Sequence, residues 1–146
     1  MVKRAQIIAA ARSYAGVKWE HQGRSRVGID CVGLPVLVGR DLGLAVEDLK
    51  AYKRTSEGRQ LIKELDRRLV RLKPMQRRDG SVLAFQDRLT PIHVAIYCEN
   101  LMEGRRVPYI IHAEMGFFGR DGKVIEVPLT EDMKVLAEYD FPGVED

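Results

Sequence analysis

Cys31, His93 and His112 are the residues of this 146-residue chain whose types and surroundings could do chemistry. Cys31 follows a polar, glycine-containing loop and opens a run with helical apolar spacing: Leu34, Leu37, Val38 and Leu42. A thiol at a helix N-terminus feels the positive end of the helix dipole and unpaired backbone N–H groups, and both favour the nucleophilic thiolate. His93 lies in the strand-like run Pro91-Ile92-His93-Val94-Ala95-Ile96-Tyr97, and His112 in Tyr109-Ile110-Ile111-His112-Ala113. A thiolate, a base within hydrogen-bond reach and a third group that orients the base make up a cysteine hydrolase. Side chains alternate along a strand, so His93, Ala95 and Tyr97 share one face, and small Ala95 leaves room there for a helix end. His112 would join His93 on that face if the two strands pair, and would then fix its tautomer and ring orientation. Taken singly, each of the three has a plain packing explanation; their order and their places on a helix and two strands favour catalysis. His21 sits in a polar loop and is expected to be exposed or at a cleft rim. Asp30 reads as an N-cap rather than a catalyst.

The elements that must hold these residues run helices first, then strands. A first helix is expected over about Lys3 to Tyr14, stopping at Gly16. A polar loop, Lys18 to Gly28, leads to the cysteine helix, about Cys31 to Leu42, which ends at Gly43 and tolerates Pro35 near its start. Leu61, Ile62, Leu65 and Leu69 form one face of a third helix over Glu57 to Leu69. Strands are expected at Ser81–Gln86, Ile92–Glu99, Val107–Ala113, Lys123–Pro128 and Val135–Tyr139, with turns at Asp87–Pro91 and Arg120–Gly122. Short connections between consecutive strands imply an antiparallel sheet, so the fold class is α+β in a single domain over residues 1–146.

The bulk properties fit that reading. Hydrophobic residues make up 45% and charged residues 31% of the chain, ordinary values for a globular protein. A net charge of +3 would help approach to an anionic polymer such as a cell wall, but it is a poor argument for nucleic acid. The densest basic group, Arg67, Arg68, Arg71, Arg77 and Arg78, reads as a solvated face. Cys98 ends a strand-like apolar run, where a lone cysteine behaves as a small buried hydrophobe, so no disulfide with Cys31 is expected. No paired ligand spacing points to a metal, and no cofactor is implied. The first residues combine positive charge with apolar side chains, but Arg12 interrupts the run too early for a signal peptide, and no run reaches the length of a membrane span.

Four segments together resemble the NlpC/P60 cysteine peptidases, a papain-like superfamily acting on bacterial cell-wall peptides. Asp30-Cys31-Val32-Gly33-Leu34 resembles the family's nucleophile motif, and His93-Val94-Ala95-Ile96-Tyr97 its base strand. Gly80-Ser81-Val82-Leu83-Ala84-Phe85 and Ile111-His112-Ala113 resemble, more weakly, its first core strand and the segment of its third catalytic residue. The motifs keep the family's order over about residues 3 to 128. Ser81 stands where the family usually has Asp, and the interval from His93 to His112 is longer than usual, which a turn at about Asn100–Arg106 would absorb. The loop Gly16-Val17-Lys18-Trp19-Glu20-His21-Gln22 looks most like that of phage and gene-transfer-agent cell-wall peptidases of the tail tip. Trp19 takes the place of a tyrosine that lines the site there, and an indole can stack on substrate or donate one N–H.

The resemblance implies N-terminal helices with the nucleophile helix packed on an antiparallel sheet. It implies hydrolysis of an amide bond in peptidoglycan stem peptides, the D-γ-glutamyl–diaminopimelate bond above all, with Cys31 as nucleophile, His93 as base, His112 orienting it and Trp19 lining the substrate. It further implies a virion tail component, synthesised in the host cytoplasm and partnered by tail-tip or hub proteins. Two alternatives stay open: a tail-tip assembly protein that keeps the fold but works through protein contacts, and a thiol amidase or acyltransferase acting on lipid or small molecules.

Overall fold

Apart from a two-residue strand at Val2–Lys3, helices come first and the other strands follow, as the apolar spacing predicts. A computed structural model describes residues 1–44, 46–48, 58–86, 92–117 and 120–145. The helices are α1 (Arg4–Arg12), α2 (Gly33–Asp41) and α3 (Gly58–Arg68). The strands are β1 (Val2–Lys3), β2 (Val70–Arg71), β3 (Val82–Gln86), β4 (His93–Met102), β5 (Arg105–Phe117), β6 (Arg120–Pro128), β7 (Lys134–Asp140) and β8 (Val144–Glu145). The expected start of the third helix at Glu57 and the turn at Asp87–Pro91 lie outside the described residues.

A six-stranded antiparallel sheet runs in the order β2-β7-β3-β4-β5-β6, and β1 pairs in parallel with β8 as a separate two-stranded sheet. The class is therefore α+β, with a topology that neighbouring strands in sequence only partly reveal. β7 returns from the far end of the chain to lie beside β3, and β1, β2 and β8 are too short to show as alternating runs. The β4–β5 connection is a tight hairpin: Met102 pairs with Arg105, and Glu103 and Gly104 take φ values of +52° and +78°. Two left-handed residues give the strand reversal the twist a two-residue hairpin needs. The extra length between His93 and His112 thus goes mostly into strand, with a turn far shorter than Asn100–Arg106. The next reversal also differs from expectation. Phe117 pairs with Arg120, so Asp121 and Gly122 belong to β6 rather than to a turn.

The sheet has two buried faces. Val82, Ala84, Val94, Ile96, Cys98, Ile111 and Ala113 pack against Ile7 and Ala11 of α1, Leu34 and Val38 of α2, and Leu61 and Leu65 of α3. Cys98 is the small buried hydrophobe expected, and both cysteines are free. Leu83, Phe85, Ala95, Tyr97 and Ile110 form a second cluster on the opposite face, joined by Val127, Leu129, Met133 and Val135. Ala95 therefore does not make room for the nucleophile helix. α2 lies on the other face, and Ala95 is fully buried among the second cluster.

The loop between α1 and α2 is stitched to the sheet. The Val124 N–H donates to the Val17 carbonyl at 2.9 Å, and the Trp19 N–H to the Gly122 carbonyl at 2.8 Å. Ile29 N–H then donates to the Lys18 carbonyl, and Glu20 N–H to the Ile29 carbonyl, each at 3.0 Å. The ladder thus continues past β6 through residues 17–19 to residue 29. That continuation fixes the approach of Cys31 to the sheet.

Candidate active site

Cys31 does not begin the helix; it occupies the turn ahead of it, with α2 starting at Gly33. Asp30, one residue earlier, braces that turn. Its Oδ1 accepts the Gly33 N–H at 2.8 Å and a proton of Arg24 Nη1 at 3.0 Å, while Oδ2 accepts the Gln22 N–H at 2.8 Å. The carboxylate occupies the capping role expected of it, reaching the first turn from one residue before the cysteine. Gly33 has to be glycine here, because a Cβ would stand 2.5 Å from the Gly23 carbonyl oxygen and 3.0 Å from Arg24 Nη1.

The half-buried Cys31 thiol meets β4 at the backbone of Val94, whose N–H, with those of Val32 and Cys31 itself, points at the sulfur. These donors favour the thiolate. Burial and the neighbouring Asp30 charge oppose them and win, pushing the thiol from 9.0 up to about 11. The helix terminus alone does not make Cys31 a thiolate, contrary to the expectation from its position.

His93 is the first residue of β4, adjacent in sequence to the amide that meets the sulfur. β4 and β5 pair in antiparallel register, with Ile96 opposite Ile111 and Tyr97 opposite Ile110, which brings His112 to the face of His93. The two imidazoles lie edge to face with centroids 6.1 Å apart and planes at 85°. Phe85, directly across β3 from His93, stacks on its ring at 5.5 Å and meets His112 edge-on at 5.8 Å. His93 is half-buried and His112 buried, so one ring is presented toward solvent and the other backs it. Trp19 is half-buried against the helical core, in the segment bridged to Ile29. His21 is exposed, as the polar loop suggested.

Three contributors escape the sequence reading. Phe85 is visible there only as an apolar strand residue, and nothing in a single chain shows that it cradles both histidines. Arg24 looks like any loop arginine, yet its side chain is 8% exposed and bridges Asp30 and Asp48. Gln22 takes a left-handed φ of +57° while its amide holds Asp30. Only the neighbouring glycines hint at such crowding. Ser81, standing where an aspartate was expected by resemblance, is structural: its hydroxyl donates to Asp140 Oδ1 at 2.8 Å and accepts the Arg78 N–H at 3.0 Å. Among the described residues no cluster of His, Cys, Asp and Glu is placed to hold a metal ion, and no helix is long and apolar enough to cross a membrane.

No protein-family model matches the sequence. No curated protein matches it either. Solved structures do. The NlpC/p60 domain of the peptidoglycan hydrolase SagA aligns over 96% of this chain and 100% of its own, with a TM-score of 0.61 and 20% identity. An NlpC/P60 family protein from Bacillus cereus ATCC 10987 aligns over 94% of this chain and 40% of its own, with a TM-score of 0.63 and 17% identity. The three helices and antiparallel sheet that carry Cys31, His93 and His112 thus form the fold of an NlpC/P60 domain.

Proposed function

We propose that this protein is a cysteine peptidase that hydrolyses an amide bond in the peptide stem of peptidoglycan, with D-γ-glutamyl–diaminopimelate as the preferred bond. The observation that carries the reading is the convergence at the start of β4: the Cys31 sulfur lies at the Val94 amide, next in the chain to His93, whose ring is backed by His112. The fold shared with a domain of a peptidoglycan hydrolase supports the choice of substrate.

In this mechanism Cys31 attacks the scissile carbonyl carbon as its thiol proton passes to His93. A thiol with a raised proton affinity needs a base at the moment of attack, and a half-buried imidazole on a strand end can be that base. The Cys31 N–H at the entry to α2 supplies one oxyanion donor. His93 then protonates the leaving amine, and water hydrolyses the thioester by the reverse sequence of proton transfers. His112 orients His93, and Trp19 lines the substrate groove. The loop around Trp19 supports assignment to a phage-type tail tip, where hub proteins would bring the enzyme to the wall.

A second reading has one observation in its favour. A crevice lined mainly by apolar residues, Val32, Pro35, Val36, Leu65, Leu69 and Val94 among them, with Glu47 and Arg68 beside these, shares Val32 and Val94 with the thiol's surroundings. An acyltransferase or amidase on an acylated small molecule would use such a lining.

Mass spectrometry of muropeptides released from purified peptidoglycan tests the proposal. Fragments cut within the stem by the wild type, and absent with a folded Cys31→Ala variant, are the expected result. Equal release by Cys31→Ala overturns the thiol mechanism. No release by folded wild type, together with turnover of a short acyl thioester or amide, favours the second reading, and no turnover of either favours an assembly role.

A further inference from the structure

We propose that Arg24 is the positioning residue of the nucleophile turn, holding Asp30 in place and offsetting its charge so that Cys31 can ionise. The proposal rests on the cysteine-nucleophile reading above, but its test does not require peptidase turnover.

The geometry is specific. Arg24 Nη1 donates to Asp30 Oδ1 at 3.0 Å and to the Gly23 carbonyl at 2.9 Å, and Nε donates to Asp48 Oδ1 at 3.0 Å. Asp48 Oδ2 in turn accepts a bond from Arg40 of α2 at 3.3 Å. The Arg24 and Asp30 side chains are 8% and 3% exposed, so this pair is shielded from the solvent that weakens surface ion pairs. The same guanidinium packs where a side chain on Gly33 would otherwise stand. One arginine thereby joins the cysteine loop, the first turn of α2 and the segment that follows α2.

The chemical consequence runs through Asp30. A carboxylate one residue before the nucleophile, nearly excluded from water, disfavours a second negative charge on the adjacent sulfur. Charged and titratable groups on the elements around the thiol include Asp30 and Arg24 in its own loop, His93 on β4 and His112 behind it on β5. Of these, Arg24 alone carries a permanent positive charge against Asp30. Bidentate or forked contacts to two carboxylates suit a planar guanidinium, and a lysine could reproduce the charge but not the whole fork.

The experiment is the rate at which iodoacetamide alkylates Cys31, followed against pH by mass spectrometry of the Cys31 peptide in folded protein. Removing the charge in Arg24→Met takes the guanidinium away from Asp30 and is expected to slow alkylation about tenfold at about pH 8, the equivalent of one unit in the thiol's pKa. Arg24→Lys is expected to recover most of the rate. Asp30→Asn, with Arg24 left intact, is expected to raise it above wild type, and adding Arg24→Met to Asp30→Asn to change it little, because the charge that Arg24 offsets is gone. Asp30→Asn also serves if Arg24→Met alone does not fold, because an alkylation profile unchanged from wild type in that variant overturns the proposal. A pH profile that is the same in folded Arg24→Met and wild type overturns the proposal. So does a slowing on adding Arg24→Met to Asp30→Asn as large as that in Arg24→Met alone, which places the effect of Arg24 outside Asp30. Failure of wild-type protein to release stem fragments, with the alkylation pattern as expected, would count against the peptidase reading and not against Arg24.

Discussion

At the scale of single residues, the state of the thiol decides how much the base must do. Cys31 is pushed up to about 11 by burial first and by the Asp30 charge second, so at neutral pH it holds its proton. The reaction therefore depends on His93 taking that proton during attack, and removing the base should cost the whole of that assistance. His93→Ala is expected to lower kcat by roughly 10²–10⁴ with little change in KM. Steady-state kinetics on a stem peptide, with circular dichroism to verify the fold, measures it. The candidate histidines were legible in the sequence as imidazoles placed within apolar strand runs. The ring that holds them was not, because Phe85 reaches them across β3–β4 and β4–β5 pairings that no local pattern specifies.

At the scale of elements, what matters is how closely the cysteine turn approaches α2. Gly33 admits the Gly23 carbonyl and Arg24 where any side chain would intrude, and backbone on one side cannot give way as a flexible side chain could. Gly33→Ala is thus expected to cost about 1–3 kcal/mol in a urea titration and to reduce Cys31-dependent cleavage together with stability. Gly39→Ala, in the same helix, meets the Val46 side chain instead, so its effect on cleavage should be the smaller. The helix itself was legible from the spacing of Leu34, Leu37 and Val38. Its true start at Gly33 was not, because the turn at Cys31 and Val32 is set by the contacts of the Asp30 carboxylate with Gln22 and Arg24 as well as with Gly33.

At the scale of the whole molecule, the buried acids that keep their protons give stability a direction with pH. Burial is the largest cause in each case: it pushes Cys31 up to about 11 from 9.0, Cys98 to about 12 from 9.0, and Tyr14 and Tyr97 to about 12 from 10.0. Tyr139 is raised in the same direction. Groups whose folded values lie above their unfolded ones stabilise fully below the unfolded value and lose that contribution as pH rises through the folded one. The melting temperature should accordingly fall as pH climbs above 9.0, and most steeply between 10.0 and about 11. Glu126 has the opposite sign: its hydrogen bond from Arg12 holds its carboxyl below 4.5, so that contribution is lost as pH falls. Thermal melts across the alkaline range check the first expectation. A flat melting temperature between pH 9.0 and about 11 would contradict it.

The α+β class, the run of helices ahead of the longer strands and the apolar faces of the helices could be read from the chain alone, as could Cys31, His93 and His112 as candidates for chemistry. These are local properties, written in apolar periodicity and in the few side chains able to act as nucleophile or base. Only the tertiary structure decided that β7 lies beside β3, that α2 packs on the Val94 face rather than the Ala95 face, and that Asp30 is paired to a buried Arg24. It also decided that burial outweighs the helix terminus at Cys31. Each of these depends on groups distant in the chain competing for the same space or the same charge, and such competition is settled only when the chain has closed on itself.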